Sequence, residues 1–153
     1  MAIELSTAGI LVKYAVEGTA GTRPTTGYVA IPGVKSIPEL NPEPNMLQVT
    51  PLSETAFHRY ISGLKDLGGA IGLTVNHYSD FTTAWSTMMT AYSTAKAAGK
   101  GMWIEIYIPD AQSFYIPVIP NDLGFGGADV DAVLENVAYF TPTGTPVWAA
   151  HSS

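Results

Sequence analysis

The order of apolar and polar positions changes character several times along this chain of 153 residues. From Ile10 to Glu17 the two kinds alternate, with Ile10, Val12, Tyr14 and Val16 on one side and Leu11, Lys13, Ala15 and Glu17 on the other. That period of two predicts a half-buried strand. Thr19 to Gly27 breaks the alternation with two glycines, Pro24 and four threonines, and Tyr28-Val29-Ala30-Ile31 resumes it, which predicts a hairpin. Five prolines follow between Pro32 and Pro51. Each removes a backbone donor and restricts the residue before it, so regular structure is not expected there. Together with its continuation to Asp66, this stretch is longer than an ordinary connection and reads as a functional arm.

Ile71 to Asn76 alternates again and predicts a second half-buried strand. The pattern then changes to a helical one from Asp80 to Ala98, where Phe81, Ala84, Trp85, Met88, Tyr92 and Ala95 share a face. Ser79 suits the N-cap, Asp80 the positive end of the dipole, Lys96 and Lys100 the negative end, and Gly99 the close. Met89, beside the main stripe, is free to touch a neighbour. Met102 to Ile108 is a strand, Pro109-Asp110 a turn, and Phe114 to Val118 its partner. After a glycine-rich loop from Asn121 to Gly127, Val130 to Phe140 reads as a last long strand and Thr141 to Ser153 as a departing tail. These elements predict an α+β, mostly β fold, an antiparallel β-sandwich or barrel with one flanking α-helix, in a single domain over residues 1–153.

Composition adds an expectation about the surface. The chain is 46% hydrophobic and only 13% charged, against roughly 25% charged in ordinary soluble domains. Part of that surface is expected to be covered by other protein, because monomers seldom leave large apolar patches in water. Thirteen acidic residues against seven basic ones give a net charge of −6, and the seven cations are scattered rather than arranged along a row of phosphates. Specific binding to nucleic acid is therefore not expected. No apolar run approaches the roughly 18 residues of a membrane span, and Ile10-Leu11-Val12 is too short for a signal-peptide core, so a soluble protein used inside the producing cell is the expectation.

Candidate chemistry is sparse. The absence of cysteine excludes disulfides and thiolate chemistry. His58, His77 and His151 fall in separate regions, no Gly-x-Ser-x-Gly elbow occurs, and no catalytic role, metal or cofactor is expected. Asp129-x-Asp131 lacks the downstream glutamate of a calcium loop, and neither it nor the pair Glu39 and Glu43 carries a clear signal of calcium or glycosidase chemistry. Gly68-Gly69-Ala70-Ile71-Gly72 and Gly124-Phe125-Gly126-Gly127 lack phosphate-loop spacing and read as turns and bulges. A carbohydrate-binding module would need exposed aromatics such as Trp103, Tyr107 and Tyr115 on one face, and would leave the proline-rich arm unexplained.

The stretch Ile37 to Thr50 ends in Asn45-Met46-Leu47-Gln48-Val49-Thr50 and is followed by Tyr60-Ile61-Ser62-Gly63-Leu64-Lys65-Asp66-Leu67-Gly68. This order resembles the major tail tube proteins of long-tailed phages, in which a similar tyrosine, isoleucine, small, glycine, leucine, lysine, aspartate run precedes a strand, a helix and a strand–turn–strand. The resemblance implies the tail-tube fold shared by contractile-phage tubes, tailocins and the haemolysin-coregulated protein of type VI secretion. It implies a subunit that forms six-fold rings stacked into a hollow tube through which DNA passes, in a virion tail assembled in the host cytoplasm. Tape measure, tail terminator and baseplate proteins are the implied partners. Residues 32–66 would be the stacking arm, carried by Met46, Leu47, Val49, Leu52, Tyr60, Leu64, Lys65 and Asp66, with the terminal segments bridging neighbours. The arm is expected to be mobile in the free subunit and to order on docking. Many relatives append an immunoglobulin-like domain, which is not expected here, and the Tyr60 to Gly68 run favours the non-contractile class. On the strand reading, Glu105, Asp131 and Glu135 project from the face opposite the core, and the resemblance turns that face to an acidic bore.

Overall fold

The structure is a computed structural model that describes residues 5–66 and 69–151. Its elements are β1 (Leu11–Val16), β2 (Val29–Ala30), β3 (Val34–Ser36), β4 (Glu43–Gln48), β5 (Tyr60–Asp66), β6 (Ile71–Asn76), α1 (Ser79–Ala97), β7 (Met102–Tyr107), β8 (Ser113–Pro120), β9 (Glu135–Pro142) and β10 (Val147–Ala149). Eight strands form one antiparallel sheet in the order β2-β1-β7-β8-β9-β6-β3, with β10 added to β8, while β4 and β5 form a separate two-stranded sheet. Among the described residues the fold is mostly β with one helix, the expected class.

The alternation read from the sequence builds the core directly. Val12 and Tyr14 of β1, Ile104 and Ile106 of β7, Ile116 and Val118 of β8, Ala138 and Phe140 of β9 and Ile71, Leu73 and Val75 of β6 share one face. On that face α1 lays Phe81, Trp85 and Met88, each buried. Burying a side chain of that size contributes about 1.5–3 kcal/mol, so this helix face holds α1 against the sheet. Tyr78 stands at the N-cap without a side-chain bond, and Ser79, the expected cap, is the first helical residue. At the other end the Lys100 N–H bonds the Ala95 carbonyl at 2.8 Å and the Gly99 N–H bonds that of Lys96 at 3.0 Å. That double closure needs a left-handed residue, and Gly99 supplies it at φ 75°.

Five expectations are corrected. The proline-rich arm is not free of regular structure: Ser36 and Val34 pair with β6, and β4 pairs with β5 along Met46–Ser62, Leu47–Ile61 and Gln48–Tyr60. Pro44 is tolerated because both strands of a two-stranded ribbon have an open edge, and the register shifts between Pro44 and Met46. The prolines therefore do not prevent pairing, which was the ground for expecting a mobile arm. The last long strand begins at Glu135 rather than Val130, and Asp131, at φ 63°, lies in the loop before it. The closing segment does not depart: Val147, Trp148 and Ala149 pair with Tyr115, Phe114 and Ser113. Met89, read as free for a neighbour, is partly buried against the core.

Glu105 is the fifth correction. Strict alternation puts it on a solvent face, yet β7 is buried on both faces along most of its length and Glu105 is 0% exposed. The reason is a second layer on the outer face. Arg23 lies 4.4 Å over the Tyr115 ring, Tyr28 packs against the same ring at 5.5 Å, and His151 closes over Glu105 from the C-terminal side. A period of two identifies opposite faces; it does not identify which of them is wet.

Candidate assembly surface

The β4–β5 hairpin stands outside the main sheet and carries its apolar side chains outward. Met46, Leu47, Val49, Leu52, Tyr60 and Leu64, all named from the sequence, are exposed, Leu64 by 88%. Phe57, 81% exposed, and Ile61 join them and were missed. The signal for both was present, since each lies inside the arm between anchors already chosen. Lys65 and Asp66 end β5, and Leu67 and Gly68 of the same run lie outside the described residues.

The charges near the tip are matched within the hairpin. Arg59 holds Glu54 at 2.7 Å, and the Ala56 N–H and the Arg59 guanidinium together keep that carboxyl below its ordinary value. Arg59 also donates its backbone N–H to Thr50 Oγ1 at 2.6 Å, and Gln48 Nε2 lies 2.8 Å from His58 Nδ1. A tip whose charges are neutralised internally can be desolvated more cheaply than one with unpaired ions. The loop before β9 adds a second apolar exposure through Phe125, Val130 and Val133.

The three acids expected to gather on one face are dispersed. Glu105 is buried, its Oε2 accepting from the Tyr115 hydroxyl at 2.9 Å and lying 2.6 Å from His151 Nδ1. Burial, and then the Glu105 carboxylate, push the Tyr115 hydroxyl above its ordinary value, so it remains a donor. Glu135 is paired with Lys35 at 2.7 Å, and Asp131 is exposed in its loop. Trp103 and Tyr115 are buried too, so they offer no platform for a sugar ring. Among the described residues, no group of three His, Cys, Asp or Glu side chains could hold a metal ion, and no helix is long and apolar enough to cross a membrane.

No family model matches this sequence, and no curated protein matches it. Solved structures do match by shape. A chain of the anti-feeding prophage baseplate, determined by cryo-electron microscopy with six-fold symmetrisation, superposes with a TM-score of 0.63 at 12% identity, covering 96% of this chain and 97% of that one. A chain from the tail of the empty gene transfer agent particle, refined helically with C6 symmetry, gives 0.63 at 12% identity, covering 96% and 100%. One from the virion of the native gene transfer agent particle gives 0.62 at 11%, covering 96% and 100%. What is shared is the fold. It is shared over nearly the whole of both chains.

Proposed function

We propose that this chain is a non-catalytic structural subunit of a phage-type tail. Copies of it form six-fold rings that stack into a hollow tube, with the β4–β5 hairpin reaching the next ring. The observation that carries the proposal is the hairpin itself, an apolar element with internally matched charges standing off a fold that recurs in six-fold tail particles. The scarcity of charge agrees with a surface spent largely on contacts between copies. The net charge of −6 suits a conduit that must not hold the DNA passing through it. Asp131 and Glu135 are the acids left to face a bore. Tape measure, terminator and baseplate proteins are the proposed partners, and the virion tail the proposed location.

The neighbour from a baseplate favours a second reading, in which the ring borders a tube instead of repeating along it. Electron microscopy and sedimentation velocity of the purified protein at rising concentration test both. Stacked rings or filaments are expected from a tube subunit and single rings from a border ring. A folded protein that stays monomeric at high concentration overturns both.

A further inference from the structure

The C-terminal segment is joined to the sheet at few points. β10 pairs three residues with the first part of β8, and Trp148 meets Phe114 edge-on at 5.0 Å while remaining 58% exposed. Beyond β10, His151 packs T-shaped on Tyr107 at 4.6 Å and brings Nδ1 to 2.6 Å from Glu105 Oε2. Two depressions border the segment. One of about 210 Å³ is lined by Ile106, Phe114 and Trp148 among others, and one of about 420 Å³ by Tyr107, Asp110 and His151 among others. Sparse packing of this kind belongs to segments that open locally without global unfolding.

Two features give this attachment consequence. The first is the edge it covers. β7 occupies one side of β8 from Phe114 to Val118, and β9 pairs with Val118–Pro120 on the other side, so among the described residues β10 alone covers the Ser113–Tyr115 edge there. An uncovered edge next to Phe114 and Ile116 is a template for pairing with another chain. The second is what holds the cover down. Glu105 is fully buried, its Oε1 has no partner among the described residues, and Oε2 has the Tyr115 hydroxyl and His151. Lys13 and Arg23 lie over the rings of Tyr107 and Tyr115, at 4.7 and 4.4 Å. A buried carboxylate is stabilised by the donors it holds, and with its proton on Nδ1 His151 is one of them, so withdrawing the ring costs Glu105 that partner.

We infer that residues 143–151 form a latched strap, with His151 the latch and Glu105 the group it closes on, and that the closed strap restrains association of this chain through the β8 edge. Opening uncovers Ser113–Tyr115, and re-forming the His151–Glu105 contact covers it again. The inference concerns the isolated subunit and stands or falls independently of the tail proposal.

Hydrogen exchange on the dilute full chain tests it. In His151→Ala the amides shared between β8 and β10 are expected to exchange at least about tenfold faster, while those of β6 keep their protection. Because that variant leaves Glu105 short of a partner and can weaken the sheet as a whole, Glu105→Leu/His151→Ala is measured beside it. The double variant removes the buried charge as well as the latch, so the sheet amides are expected to regain normal protection while the β10 amides stay fast. Normal protection of β10 in the double variant overturns the latch. Sedimentation velocity of a chain ending at Thr145 tests the restraint: concentration-dependent association beyond that of the full chain is expected, and unchanged association overturns it.

Discussion

The Trp103 indole donates its Nε1–H to Oε2 of Glu17 across 2.9 Å, joining the end of β1 to the middle of the sheet. The other oxygen accepts the backbone N–H of Gly101 at 2.7 Å and of Gly21 at 3.1 Å, so one carboxylate ties three segments together. Burial alone would raise this carboxyl, but the three donated bonds outweigh it and hold it below the ordinary carboxylate value. A group lowered on folding contributes stability that is present above its unfolded value and is lost as pH falls through the folded one. Glu17→Gln replaces one acceptor by a donor facing a donor. It is expected to cost about 1.5–3 kcal/mol at neutral pH and to flatten the acid limb of the stability curve. Urea unfolding from neutral to acid pH checks both; an unchanged acid limb would remove Glu17 from the acid response.

Trp85 lies between Phe81, with ring centroids 5.7 Å apart, and Phe140, at 5.3 Å. Its Nε1–H is buried and has no partner among the described residues. Trp85→Ala opens a cavity between helix and sheet and is expected to cost about 3–5 kcal/mol. Trp85→Phe keeps an aromatic ring there and discards the unsatisfied donor, so its cost is expected to be markedly smaller. Equal losses in chemical denaturation would show that ring volume, and not ring presence, sets the packing.

Lys35 and Glu135 pair at 2.7 Å with both side chains about two-fifths exposed, at 42% and 41%. Solvent and salt screen such a pair, and it is worth at most about 1 kcal/mol. Lys35→Ala and Glu135→Ala are therefore expected to change stability by less than that, with the difference shrinking as salt is added. A loss that persists in high salt would mean that the pair does more than join two surface charges. In either outcome, Glu135 is a locally matched acid, which lessens what it can contribute to a repulsive bore.

What was legible in the sequence and what was not follow from the same physics. β6 occupies Ile71–Asn76 as its alternation predicts, and α1 differs by one residue at each end from the predicted span, because each has one buried and one open face and the pattern records that difference. β7 was found as a strand, but the environment of Glu105 was not, since its cover comes from Arg23, Tyr28 and His151, all remote in sequence. β10 is three residues long, too short for any period to register. The hairpin was masked by its prolines, which forbid a central strand and permit a two-stranded ribbon. Its exposed anchors were nonetheless readable, because apolar residues in a proline-rich segment have no core of their own to enter.

Those anchors supply the sharpest test of the assembly proposal. Leu52, Phe57 and Leu64 project from the hairpin, away from the core shared by the main sheet and α1. Replacing exposed side chains usually changes stability by no more than about 0.5 kcal/mol per site, so Leu52→Ser, Phe57→Ser and Leu64→Ser together should leave thermal and urea unfolding close to those of the parent chain. Burial in a ring-to-ring contact is different. There each lost side chain forfeits about 1.5–3 kcal/mol of transfer free energy, and a polymer repeats the loss at every subunit. The triple variant is expected to remain folded and to form no filaments at concentrations where the parent chain does, with electron microscopy and sedimentation velocity as the readout. The single variants separate the contributions, Phe57→Ser being expected to act most strongly because an aromatic anchor buries the largest area. Filaments of normal length and abundance from a folded triple variant would take the hairpin out of the assembly and leave Phe125, Val130 and Val133 as the apolar surface to test next.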